Sequence, residues 1–183
     1  MNSSCKTVKQ HSPSKAPLHF CQVNIDGLSK HSNTALEKFA LTNNVSLLAL
    51  QETNLNDGQI CSLEEFQNHD SFFVPKVQGT HGVGLLISPK YLPQRISELE
   101  ESNCDILWCL TKVNNTCVLV ASAYTPPNSI QKLEKLLSNF NCAHQYALKN
   151  KIKDVLIFRK TNFFFRKTNL YFMILYYTIK IFK

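Results

Sequence analysis

A chain of 183 residues with 44% hydrophobic side chains has the length of one domain and enough apolar material for a real core. Its net charge of +7 is unevenly placed: residues 1–148 carry 11 Lys and Arg against 12 Asp and Glu, whereas residues 149–183 carry 9 against Asp154 alone. Affinity for nucleic acid through counterion release is therefore an expectation for the last 35 residues rather than the nearly neutral body, and seven cysteines without a CxxC pair or metal-ligand spacing argue against zinc.

Residues 1–17 are polar and rich in Ser and Lys, which reads as a disordered arm and not as a signal peptide, with a domain expected over 18–157. Leu18 to Ile25 alternates apolar and polar side chains as a first strand should, and ends in Asn24-Ile25-Asp26-Gly27, a polar strand end with a turn glycine. Ser32 or Asn33 is placed to cap a helix running to about Thr42, with Leu36, Phe39 and Ala40 on its apolar face. Leu47-Leu48-Ala49-Leu50 follows as a buried strand that delivers Gln51-Glu52-Thr53 into polar loop sequence, and strand, helix and strand together make a βαβ-sized unit. Chemistry in open α/β sheets collects beyond the carboxyl ends of strands, so Glu52 stands where a metal ligand is expected.

Asp57 to His69 reads as a loop or short helix, Phe72 to Val74 as a short strand, Gly79 to Gly84 as a polar turn and Val83 to Ile87 as another strand. Ile106 to Val113 and Thr116 to Tyr124 form a hairpin pair across Asn114-Asn115. Ser129 caps a helix whose stripe is Leu133, Leu136, Leu137, Phe140 and Ala143, and Asp154 to Phe158 begins a further buried strand. Helices mixed with hairpins imply a layered α/β sandwich and not a purely parallel sheet. Cysteines inside apolar runs, Cys117 among them, read as buried reduced thiols of an intracellular protein, nuclear or cytoplasmic.

Residues 158–183 change character: they hold no Gly, Pro, Asp or Glu, and Phe-Arg-Lys-Thr-Asn occurs at both 158–162 and 165–169. The apolar run from Leu170 to Ile179 is too short to span a bilayer. Residue types drawn from A/T-rich codons suggest translated intron or frame-shifted sequence, so this tail is expected to lie outside the domain.

Four segments, Val23-Asn24-Ile25-Asp26-Gly27, Leu50-Gln51-Glu52-Thr53, Gly82-Val83-Gly84-Leu85-Leu86-Ile87 and Ala123-Tyr124-Thr125-Pro126-Pro127-Asn128, together resemble the endonuclease/exonuclease/phosphatase superfamily in order and spacing. The likeness runs from about Leu18 to Phe158 and is to the non-LTR retrotransposon and apurinic/apyrimidinic endonucleases; Asp105-Ile106-Leu107-Trp108 resembles the mobile-element branch in particular. The resemblance implies the N-terminal half to two-thirds of a four-layer α/β sandwich, two packed mixed sheets flanked by helices. It further implies a divalent-metal DNA endonuclease using Mg²⁺, or Mn²⁺, with the DNA phosphate backbone as partner and a polymerase region elsewhere in the intact element. On that likeness Glu52 and Asn24 hold the metal, Asp26 supports the metal or its shell, Tyr124 places a hydroxyl near the scissile phosphate, and Gly82 and Asn128 contact substrate. Taken singly, each residue has a plainer reading. Asn24 suits a turn, Tyr124 the core, Gly82 and Gly84 a hairpin bend, and His81 a solvated loop.

The chain departs from the family after Ile157. Where the family writes Gly-Asp-Phe-Asn this sequence has Phe158-Arg159-Lys160-Thr161-Asn162, and no Asp, Glu or His follows Asp154 to match the closing Ser-Asp-His. The base that activates water and the His that contacts phosphate are thus unmatched, which implies an inactive copy. Two alternatives remain: a non-catalytic nucleic-acid-binding fragment served by the basic tail, and a truncated product with no selected function.

Overall fold

The computed structural model describes residues 18–63, 66–78, 80–126 and 129–159, and the backbone of 172–174. The N-terminal arm, Asn128 and the rest of the 160–183 tail lie outside the described residues. The elements run β1 (Phe20–Asn24), α1 (Lys30–Thr42), β2 (Leu47–Gln51), α2 (Asp57–Cys61), β3 (Asp70–Val74), β4 (Val83–Ile87), β5 (Gln94–Arg95), β6 (Ile106–Val113), β7 (Thr116–Ala123), α3 (Ile130–Lys149), β8 (Asp154–Arg159) and β9 (Phe172–Ile174).

They build two mixed sheets, β1-β2-β4-β3 and β5-β6-β7-β8-β9, with β1 parallel to β2 and β7 parallel to β8. Three apolar clusters fill the spaces between four layers. Leu48, Leu50 and Leu86 face Leu36 and Ala40 of α1; Leu47, Ala49, Leu85 and Ile87 face Leu107, Cys109, Val118 and Val120 of the second sheet; Leu119, Ala121 and Trp108 face Leu136, Ala143 and Ala147 of α3. Burial on both faces explains why β4 and all of β2 but its last residue, Gln51, lack polar side chains, where a half-buried strand would alternate. Gly84 is forced by the same packing, since a Cβ there would sit 2.7 Å from two ring carbons of its cross-strand neighbour Phe73.

Local expectations are corrected at three points. α1 starts earlier than Ser32 or Asn33: Ser29 is the N-cap, its hydroxyl accepting from the Ser32 amide at 3.4 Å, so Asn33 sits inside the first turn. Ser129 occupies the N-cap of α3 without a side-chain capping bond. The buried stripe of α3 is Leu136, Asn139, Ala143 and Ala147, with Leu133 and Leu137 only half-buried. A polar residue joins that stripe because Asn139 Oδ1 accepts from the Trp108 indole at 2.8 Å while its Nδ2 donates to the Leu99 carbonyl at 2.6 Å. No helix among the described residues is long and apolar enough to cross a membrane.

Candidate active site

Parallel β1 and β2 end side by side, with Asn24 opposite Gln51, so the next residue of β2, Glu52, emerges beside Asn24. Gln51 itself is fully buried and turns inward, where Nε2 donates to Ser122 Oγ at 3.1 Å and that hydroxyl donates on to the Leu50 carbonyl at 2.9 Å. This bridge between the sheets fixes the strand end beneath Glu52. The Asn24 amide donates through Nδ2 to Glu52 Oε1 at 3.0 Å, and Asn24 Oδ1 is buried without a hydrogen-bond partner.

The turns around these residues are strained in one pattern. Asp26, Glu52 and Asn54 have φ of 47°, 54° and 54°, and Gly27 and Gly82 have 98° and 74°. Each left-handed non-glycine residue costs about 1–2 kcal/mol, and such conformations persist where the surroundings over-determine them. Here they are held by backbone bonds between the loops: Gly27 N–H donates to the Glu52 carbonyl at 2.8 Å, Leu28 to Thr53 at 2.8 Å, Thr53 to Gly82 at 3.2 Å and Asn54 to His81 at 2.7 Å.

The second sheet contributes Tyr124, just beyond β7. Its hydroxyl is hydrogen-bonded to the Glu52 carboxylate, and its ionisation is pushed well above the ordinary phenol range by burial first, then by Glu52, and by the charges of Asp105 and Asp26. Glu52, Asn24, Asp26 and Tyr124, four residues spread over 101 positions of sequence, are therefore brought to one place. Gly82 joins them through its backbone, and a Cβ at this position would lie 2.6 Å from Thr53 Oγ1. Asn128 lies outside the described residues.

Two residues at the site had no role assigned from sequence. His81, expected as a solvated loop residue, is half-buried with its ring edge-on to Tyr124 at 5.1 Å between centroids. Asp105 is 3% exposed, and its carboxylate accepts from the His81 amide at 3.1 and 3.0 Å and from the Gly82 amide at 2.8 Å, while its carbonyl accepts from the Tyr124 amide at 2.9 Å. It thus clamps the 81–82 loop to the start of the Tyr124 segment. Burial raises the Asp105 carboxyl above its ordinary value despite these amide bonds. Its sequence signals were the Asp105-Ile106-Leu107-Trp108 likeness, which carried no role for the carboxylate, and an acid set directly against a largely apolar eight-residue strand.

Chemically, the Glu52 carboxylate and the unpartnered Asn24 oxygen are hard donors, with Asp26 adding negative charge nearby. Among the described residues no group of three or more His, Cys, Asp or Glu could hold a metal ion. That donor set suits a cation that binds through one or two carboxylates and keeps most of its waters, as Mg²⁺ does, and does not suit a closed protein cage.

No protein-family model and no curated protein sequence matches the chain. Among solved structures it is similar to the AP endonuclease LMAP of Leishmania major, at 17% identity and a TM-score of 0.53 over 80% of this chain. It is likewise similar to the endonuclease domain of TRAS1, a telomere-specific non-LTR retrotransposon, at 16% identity and a TM-score of 0.52 over 71% of this chain. The chain spans about half of each, 53% of their lengths. These likenesses establish the fold alone: a partial α/β sandwich of two mixed sheets flanked by helices, similar to that of the two endonuclease structures and in line with what the four sequence segments had implied.

Proposed function

We propose that residues 18–157 form part of a divalent-metal phosphodiesterase domain acting on DNA, of mobile-element origin, and that this polypeptide alone does not nick DNA. The observation that carries the reading is the Asn24–Glu52 pair, with a 3.0 Å hydrogen bond on one side of the Asn24 amide and an unpartnered buried oxygen on the other, facing a tyrosine hydroxyl from the opposite sheet. Glu52 and Asn24 would hold Mg²⁺ or Mn²⁺, which when bound acts as a Lewis acid and neutralises charge on phosphate oxygens. Asp26 holds the local field negative, and the Tyr124 hydroxyl, which donates to Glu52 here, would turn its proton toward a phosphate oxygen once the carboxylate is engaged by the metal. Gly82 and Asn128 are assigned to the substrate side.

Inactivity is supported by the residues after β8. Arg159 ends the strand, and residues 160–183 contain no Asp, Glu or His to activate water or contact the phosphate. An intracellular setting, nuclear or cytoplasmic, goes with this reading and with the unpaired cysteines among the described residues.

A second reading is favoured by the charge distribution: the basic 149–183 segment binds DNA without cleaving it. One experiment addresses both. Supercoiled plasmid incubated with the chain and Mg²⁺ is expected to remain uncut, while Mn²⁺ titration followed by electron paramagnetic resonance shows binding that Glu52→Gln weakens. Nicking abolished by Glu52→Ala would overturn the claim of inactivity, and Mn²⁺ binding unchanged by Glu52→Gln would overturn the metal site. DNA affinity that falls steeply with salt and disappears on truncation at Asn150 supports the binding reading.

A further inference from the structure

A cavity of about 220 Å³ lies between the first turn of α1 and α2. Buried Leu28, Asn33 and Leu55 make its floor, and exposed Ser29, Gln59 and Ser62 its mouth. Among the described residues, none that lines it carries a charge. Asn33 is 6% exposed, and neither its Oδ1 nor its Nδ2 has a hydrogen-bond partner. Leaving such groups unsatisfied costs about 1–3 kcal/mol each, and buried side-chain amides are otherwise nearly always paired. Something that fits this cavity and presents one donor and one acceptor side by side would recover that cost.

We infer that the cavity is a nucleobase pocket, with Asn33 reading the base edge and Leu28 and Leu55 packing on its faces. An amide bonded in a bidentate manner to adjacent donor and acceptor atoms is how Asn recognises adenine. The described lining residues offer a phosphate no cation to pair with. The volume falls below the roughly 300–1,000 Å³ of pockets for drug-sized ligands and suits a single ring system. Position supports the same class. Leu28 is two residues from Asp26 and Leu55 three from Glu52, hence at most roughly 7 and 11 Å along the chain, and the Leu28 amide is tied to the Thr53 carbonyl at 2.8 Å. A strand with a phosphate at Glu52 therefore has a neighbouring base within reach of the pocket. The choice of a nucleobase rests on the nucleic-acid reading of the Glu52 site; the unpaired amide and its cavity do not.

The test uses the full chain, ¹⁵N-labelled, titrated separately with adenosine, guanosine, cytidine, thymidine and inorganic phosphate. The expected result is that at least one nucleoside, adenosine foremost, moves the Asn33 side-chain NH₂ resonances and that phosphate does not. Asn33→Leu, which keeps the size and removes the orphaned amide, should weaken that nucleoside about tenfold or more. Should Asn33→Leu fail to fold, Ser62→Trp at the exposed mouth provides the block, with the same loss expected. The inference is overturned if no nucleoside moves the Asn33 resonances, if the blocked variants bind equally well, or if a slowly exchanging bound water alone satisfies the amide. Glu52→Gln separates the two readings: it should weaken Mn²⁺ and leave nucleoside binding intact. Nucleoside binding without any Mn²⁺ binding would sink the metal reading and keep the pocket.

Discussion

Replacing Asp105 tests how the site is held together. Asp105→Ala removes the acceptor for two backbone amides, His81 and Gly82, in a place where the carboxylate is 3% exposed. Each amide stranded without a partner costs about 1–3 kcal/mol, and losing the burial cost of the carboxylate offsets part of the total, so a net loss of about 3 kcal/mol is expected. For a chain of this size that lowers the melting temperature by roughly 6–12 °C. Asp105→Asn keeps one acceptor and should lose about 1–2 kcal/mol. The pH dependence carries a sign. Burial raises the folded-state carboxyl above its ordinary value of 3.8, so the native state holds this proton more tightly and the residue's contribution falls as pH rises through the folded value. The deficit of Asp105→Asn should accordingly be largest in acid and narrow towards neutrality. Urea denaturation between pH 3.5 and 7 reads the stability, and hydrogen exchange at Gly82, Thr53 and Asn54 reads the clamp. Asp105→Ala within about 0.5 kcal/mol of the parent, below the cost of even one stranded amide, with the Gly82 amide still protected, would refute the reasoning.

Gly82→Ala should destabilise by about 2–4 kcal/mol, combining a left-handed φ with a Cβ placed against Thr53 Oγ1, and a melting curve unchanged from the parent would contradict it. Trp108→Phe strands Asn139 Oδ1 in the space beneath α3 and should lose about 2–3 kcal/mol in urea denaturation, with less than about 1 kcal/mol counting against a buried indole bond there. Among the described cysteines, an alkylating reagent at pH 8 followed by peptide mass spectrometry should modify the exposed Cys61 and Cys142 before the buried ones. Cys104 and Cys109, pushed by burial up to about 11 and about 12, should react only on unfolding. In Glu52→Gln the Tyr124 phenol should titrate lower than in the parent, because a negative acceptor is removed, while burial, the larger cause, still holds it above the ordinary range; absorbance at high pH reads both.

Where residues answer to a local rule, the sequence was readable. The apolar runs of β2 and β4 located the first sheet, since burial on both faces leaves a direct trace in composition; the alternation around Leu18 to Ile25 located β1, although Cys21, Gln22 and Val23 are all buried there. The Asn114-Asn115 turn held despite lacking glycine, with φ of 50° and 65°, because asparagine tolerates the left-handed region that a tight hairpin demands. What escaped were partnerships fixed by tertiary contact. Nothing in Asp105 announces two amides 23 and 24 residues away, and nothing in His81 announces a tyrosine ring 43 residues on. Ser32 and Asn33 looked like caps because they precede an apolar face; Ser29 took the role because the chain leaves β1 through Gly27 and enters the helix sooner. Asn24, Asp26, Glu52 and Tyr124 could be named beforehand only through resemblance, as no spacing rule joins residues on different sheets.

That division between sheets sets how the site responds to its surroundings. One wall, Asn24 and Glu52, stands at the ends of β1 and β2; the other, Asp105 and Tyr124, stands just before β6 and just after β7, and the Gln51–Ser122 bridge is the seam. Neither wall is a site by itself, so the pocket exists only while the sandwich is closed. A ligand spanning Glu52 and Tyr124 therefore binds the native state alone and adds RT ln(1 + [L]/Kd) to its stability, about 2.7 kcal/mol at a hundredfold excess over Kd. Thermal shift thus becomes a screen for occupants that requires no turnover.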